Sequence, residues 1–165
     1  MYKGTSASAG IGIGKAVIVE EAELVITRQA VSDGEAEIQR FKGALEQTIK
    51  DTERLAEDLA VRVGEKEAEI MQGHMMLLSD PMLTGEIENS IKNDGVNSEF
   101  AIENVCNMYA DMFASMGDEL MQQRATDMRD IKTRMQQMLM GIQSVDISSL
   151  PEGSIIVAKD LTPSM

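Results

Sequence analysis

The 165-residue chain has no tryptophan, one cysteine, one histidine and three prolines, and aromatic residues make up 3% of it. Cys106 alone cannot form a disulfide framework or a thiolate metal cluster within the chain. It sits in the helical pattern Val105-Cys106-Asn107-Met108, where a small structural residue is expected. His74 has no second histidine with which to share a metal, so no metal site is expected. Basic residues are also short: 15 Lys and Arg face 28 Asp and Glu, for a formal net charge of −13. Nucleic acid and anionic membranes demand a basic footprint, so neither is expected as a partner. The acidity suits a basic protein surface, or plain solubility. Nothing approaches the roughly 18 apolar residues of a membrane-spanning helix. The opening Met1-Tyr2-Lys3-Gly4 lacks the apolar stretch of a secretory signal. A cytoplasmic chain is the expectation.

The glycine-rich opening, with Gly10, Gly12 and Gly14, does not match a nucleotide loop. Gly14-Lys15 is followed by Ala16 rather than Ser or Thr, and Lys15 stands where a dinucleotide fingerprint needs its third glycine. These glycines are expected to let a turn pack tightly beside a strand.

Hydrophobic residues make up 43% of the chain, enough for a folded core. Lys15 to Glu20 predicts a short, largely buried strand, Leu24 to Thr27 a second, and Ser154 to Ala158 an apolar strand after a turn at Ser148–Gly153. Between them the period changes to three and four. Ser32 and Glu35 form a capping box that opens a long helix with its seam on Ile38, Phe41, Leu45, Thr48, Thr52, Leu55 and Leu59, stopping at Gly64. Glu65 to Leu78 predicts a second helix. Asp80-Pro81 opens a short third over Met82 to Lys92, ended by an Asn93-Asp94-Gly95 turn. A further helix from about Ser98 to Asp118 is expected to bury Ala101, Val105, Met108, Met112 and Met116. The last holds Met128, Ile131, Met135, Met138 and Ile142, with Gly141 near its end. Short connections favour antiparallel neighbours. The predicted fold is therefore mainly α: a bundle of two helical hairpins (31–146) inserted into an incomplete α/β domain, represented by strands at 1–30 and 147–165. So few strands leave sheet edges unprotected, as in a truncated chain, and predict pairing or swapping of terminal strands between chains.

Projected at about 100° per residue, Glu65–Leu78 places Ala68, Ile70, Met71, Met75 and Leu78 on one arc, with Leu77 at its edge. His74 falls near the centre of that arc, where a lone histidine is expected to be a structural core residue with a hydrogen-bonded ring. Glu65, Glu69 and Gln72 form the opposite, polar stripe. Met76 continues that stripe, four residues after Gln72, with no core-facing reason to be apolar. A polarisable thioether framed by carboxylates suits a partner-binding surface, although single exposed methionines are common. No carboxylate pair has a spacing that argues for acid–base chemistry.

Four stretches carry a resemblance to a known family. Gly4-Thr-Ser-Ala-Ser-Ala-Gly-Ile-Gly-Ile-Gly-Lys-Ala16, Gly73-His-Met-Met-Leu-Leu-Ser-Asp80, Arg124-Ala-Thr-Asp-Met-Arg-Asp-Ile131 and Asp160-Leu-Thr-Pro-Ser164 resemble, in order, the N-terminal part of bacterial Enzyme I, the phosphoenolpyruvate–protein phosphotransferase of the sugar phosphotransferase system. The resemblance implies an all-helical domain that docks the small carrier HPr, inserted into a swivelling phosphohistidine domain. It implies a transferase that passes phosphate from phosphoenolpyruvate through a histidine to HPr for sugar uptake. In the family that histidine lies downstream of the Leu-Thr-Pro-Ser segment, beyond Met165, and phosphoenolpyruvate, Mg²⁺ and the homodimer contact belong to a C-terminal domain. As given, the chain is expected to hold no cofactor or catalytic residue and to be inactive in phosphotransfer. The positions matching the family's HPr surface are Glu65, Lys66, Glu69, Gln72, Met76, Leu77, Met82, Leu83, Tyr109, Phe113 and Arg124. Lys66 departs from a family pattern that often has an acid there, and Arg124 has an alternative pairing with Asp127. Two other readings stay open at this point: an acidic helical-bundle adaptor, or part of a related phosphoenolpyruvate-using dikinase or synthase.

Overall fold

The computed structural model describes residues 5, 7–19, 24–142, 147, 150–159 and 161. Their elements run β1 (Ala16–Val19), α1 (Gly34–Arg62), α2 (Glu65–Leu78), α3 (Pro81–Asp94), α4 (Ser98–Ser115), α5 (Glu119–Met140) and β2 (Ile155–Ala158). The expected domain boundary at residue 146 and the Ser148–Ser149 part of the predicted turn lie outside the described residues.

The mainly helical architecture is as expected. α1 packs along α2 and then α3, and α4 pairs with α5. One apolar core, centred on Phe41, Leu78, Ile87, Ile91, Ile102, Met128, Ile131 and Met135, joins the two hairpins. Asp80 caps α3 by accepting from the Met82 N–H at 2.9 Å, with Pro81 in the first turn. Gly141 ends α5 with φ 67°, a left-handed conformation that glycine adopts without a Cβ clash. Three local expectations shift. The cap of α1 is Asp33, not Ser32; its carboxylate accepts from the Ala36 N–H at 3.0 Å. Asp94 is still helical, and Gly95 follows as the cap of α3. Leu24–Thr27 forms no strand. The chain instead pairs just beyond it, through an Ala30–Val96 bridge flanked by Val31 N–H to Gly95 O at 2.9 Å and Asn97 N–H to Gln29 O at 3.1 Å. A strand needs a partner edge, and the α3–α4 connection supplies one only there.

β1 and β2 pair in parallel, Ala16 opposite Ile155 through Val19 opposite Ala158. The long-range pairing joins the strands that flank the helices, as an inserted bundle requires. β1 is less buried than expected, because a two-stranded ribbon cannot cover both its faces; only Val19 is buried, and Ile18 is exposed. Gly14 does pack against the β2 turn: a Cβ there would stand 2.0 Å from the Gly153 carbonyl oxygen, so no larger residue fits this approach.

The largest correction concerns α4. Ala101 and Val105 are buried, but Met108, Met112 and Met116 are exposed, and the buried arc is rotated toward Ile102, Cys106 and Ala110. Small side chains let α5 approach closely, and polar side chains of α5 then reach across the seam. Gln136 Nε2 donates to Glu103 Oε2 at 2.8 Å and to the Glu99 carbonyl at 3.1 Å, and Lys132 Nζ donates to Glu103 and to Asn107. Burial pushes the Cys106 thiol up to about 12, in keeping with an inert structural residue. At the end of the bundle Arg40 ties three helices, donating to Glu37 Oε1 at 2.8 Å, to Glu99 and to the Leu139 carbonyl at 3.1 Å, while Glu37 accepts from the Ser98 N–H at 2.8 Å.

These contacts set an acid sensitivity. Burial pushes Glu99 up, but hydrogen bonds from Arg40, a backbone N–H and Asn97 outweigh it and hold the carboxyl below its ordinary range. Glu103 is likewise lowered, hydrogen bonds from Gln136, Asn107 and Lys132 outweighing its burial. A carboxyl lowered by folding binds protons more readily when unfolded, so its stabilisation is present at neutral pH and lost as pH falls. The melting midpoint is expected to drop as pH falls below about 5 and to go on dropping beneath the ordinary carboxylate range, less steeply in Glu103→Gln. Equal slopes in thermal melts followed by circular dichroism would contradict this.

Candidate functional site

α2 is amphipathic, but its apolar residues are few. Ala68, Met71, His74 and Leu78 are buried, at spacings of three and four that keep one side against α1 and α5. Ile70, expected on that arc, is 44% exposed and lies outside it. The other side carries Glu65, Glu69, Gln72 and Met76, all exposed, with exposed Lys66 beside them. Met76 is 71% exposed. Beyond the Ser79–Asp80 link Met82 is 69% exposed in the first turn of α3. Two flexible apolar side chains thus stand in water on either side of one helix junction.

Behind them lie half-buried Leu77, Tyr109 and Phe113, all packed against the core. The Tyr109 and Phe113 rings are 6.4 Å apart at a tilt of 55°. The Tyr109 hydroxyl is raised, by burial first and then by the charges of Glu86 and Asp80, which places it beside the start of α3. Leu83 is a correction. It is 2% exposed, because the same turn that turns Met82 outward turns the next residue into the core, so it supports the face rather than forming it. Arg124, on α5, crosses to α2 and lies over Gly73, and its Nη1 is 3.7 Å from Asp127 Oδ2. The structure thus places Tyr109 beside the start of α3 and Arg124 over α2, while Glu65, Lys66, Glu69, Gln72 and Met76 are exposed along α2. It also adds residues that the sequence did not assign there. Met112 and Met116, expected in the core, are exposed next to Phe113, and Leu120 is exposed just past the α4–α5 turn. The only signal for Met112 and Met116 was their methionine type, and helical spacing argued the other way.

His74 is buried as expected, with Nε2 3.3 Å from Asp127 Oδ1. Among the described residues no group of three or more His, Cys, Asp or Glu is placed to hold a metal ion, so the residues here do not fit one.

The family model for PEP-utilising enzymes, N-terminal, matches residues 3–124. The chain belongs to that family. Its similarity to Enzyme I runs along the whole chain. It is 40% identical over 162 residues to the phosphoenolpyruvate-protein phosphotransferase of Bacillus subtilis, covering 98% of this chain and 28% of that protein. The corresponding proteins of Listeria monocytogenes and Enterococcus faecalis are 40% and 37% identical, again covering nearly all of this chain. A solution structure of an Enzyme I protein superimposes with a TM-score of 0.88 at 38% identity, covering 99% of this chain and 67% of that one. The N-terminal domain of a nitrogen Enzyme 1 gives 0.72 at 25% identity, over 91% of this chain and 61% of the other. The chain thus spans 28% of the length of its curated phosphotransferase relatives.

The Gly73 contact yields a test. A Cβ at Gly73 would meet Arg124 Nη1 at 2.7 Å, the far end of a flexible side chain that can swing aside. Alanine also gains up to about 1 kcal/mol over glycine inside a helix. Gly73→Ala is expected to unfold in urea no earlier than the parent chain, while the Arg124 side-chain NMR signals move. A loss above about 1 kcal/mol would show that the guanidinium cannot leave its place.

Proposed function

We propose that this chain is the HPr-docking part of a phosphoenolpyruvate–protein phosphotransferase, and that HPr docks on the α2–α3 junction. The observation that carries this reading is the pair Met76 and Met82, 71% and 69% exposed on a surface otherwise rich in carboxylates. Their thioethers would receive an apolar patch, with Leu77, Tyr109 and Phe113 forming a firm floor beneath. Glu65 and Glu69 ring that centre and would face basic residues on the partner, and the net charge of −13 would speed encounter with them. Met112, Met116 and Leu120 widen the apolar surface beyond Phe113. The phosphoryl-carrying histidine, phosphoenolpyruvate, Mg²⁺ and the homodimer contact are assigned to parts of the parent enzyme outside the residues described. So is the swivelling phosphohistidine domain, of which β1 and β2 would be one edge. Among the described residues no helix is long and apolar enough to cross a membrane, which is compatible with a cytoplasmic enzyme.

Titrating HPr into the chain by calorimetry tests the reading. Met76→Glu places a carboxylate at the centre of the apolar patch and is expected to weaken binding about tenfold or more, with the circular dichroism spectrum unchanged. Equal affinity of the variant, or no binding by either protein, would favour an acidic adaptor with a different partner.

A further inference from the structure

Few side chains of this protein can be oxidised from water. Tryptophan is absent, and the one thiol, Cys106, is fully buried on α4. Burial pushes that thiol up to about 12, so a peroxide finds no reactive thiolate there. The remaining sulfurs are thioethers, 14 in all, and the fold sorts them. Met71, Met128 and Met135 are shut in the core, whereas Met76 and Met82 are the most exposed methionines among the described residues. Those two flank the junction between α2 and α3. A neutral oxidant such as hydrogen peroxide is not held off by the net charge of −13, as an anionic one would be.

Methionine is the apolar side chain whose polarity a reversible reaction can change. We propose that Met76 and Met82 are a peroxide-sensitive modification site, and that their conversion to sulfoxides releases the partner from the α2–α3 junction. The thioether sulfur attacks one oxygen of hydrogen peroxide. An S–O bond forms, the O–O bond breaks, and sulfur loses the two electrons that the departing hydroxide takes. The proton of the transferred oxygen passes to that hydroxide, which leaves as water. A sulfoxide oxygen is a hydrated hydrogen-bond acceptor, and burying it against an apolar patch strips its water away. Both side chains stand in water rather than in the core, so the helices keep their packing. Two thiols of a sulfoxide reductase reverse the step, yielding thioether, disulfide and water. The release rests on the docking reading; the modification site does not.

Peptide mapping by mass spectrometry of the 165-residue chain, sampled over time in dilute hydrogen peroxide, tests the site. Met76 and Met82 are expected to gain oxygen at least about tenfold faster than Met71, Met128 and Met135, with the circular dichroism spectrum unchanged meanwhile. Rates at Met76 or Met82 no higher than at Met128 overturn it. HPr is then titrated by calorimetry into the parent chain and into the double variant Met76→Leu, Met82→Leu. Each is measured before oxidation and again after the peroxide has been removed. The parent is expected to lose about fivefold or more of its affinity, and to regain it on incubation with a methionine sulfoxide reductase and a dithiol. The variant, judged against its own unoxidised affinity, is expected to lose less than about twofold. Unchanged affinity of the oxidised parent, or equal losses in parent and variant, overturns the release. Absence of HPr binding before any oxidation sinks the docking reading and the release with it, while the peptide map still decides the modification site.

Discussion

The seat of α2 between α1 and α5 is the constraint on which the proposed docking face depends. α2 buries Ala68, Met71, His74 and Leu78 and turns Glu65, Glu69, Gln72 and Met76 to water. A rotation by one residue would exchange Met76 for Leu77 and move the acidic stripe off the face. Apolar packing alone specifies such a rotation loosely, because methionine and leucine refill gaps readily. The hydrogen bond between the His74 ring and Asp127 of α5 is directional and narrows that choice. Buried polar contacts that hold a register are the best-attested use of such groups.

The rest of the bundle supports that seat by the same division of labour. Apolar side chains from α1, α3, α4 and α5 fill one core, and a polar seam sets how closely α4 and α5 approach. Arg40 joins α1, the start of α4 and the end of α5 at the end where α3 also returns. The methionines that this close seam excludes from the core lie exposed on the outside of α4.

Much of this was legible in the sequence, for identifiable reasons. The bounds of α2, the Asp80-Pro81 start of α3 and the Gly141 stop of α5 follow from local chemistry: a change of period, a side-chain cap, a left-handed residue. Met76 stood out because it broke a polar stripe. What was not legible depended on partners distant in the chain. Met108 and Met112 fit a three-four spacing as well as the true core residues do, and only the approach of α5 selects Ile102, Cys106 and Ala110 instead. Leu83 matches a family docking position by sequence, yet the phase of α3 turns it inward. Leu24–Thr27 has strand-forming residues but no edge to pair with, while Gln29–Val31 has weaker composition and a partner. The double contact of His74 was unreadable because Asp127 and Asp130 lie more than a helix away.

The most direct test of the account is an NMR titration of the chain carrying ¹³C-methyl methionine with unlabelled HPr. The 14 methionines report on core and surface at once. Met76 and Met82 are expected to shift first, while the buried Met128 and Met135 hold still, because a preformed face is covered without repacking the core. Shifts confined to other methionines, or spread evenly through the core, would contradict a docking face at the α2–α3 junction.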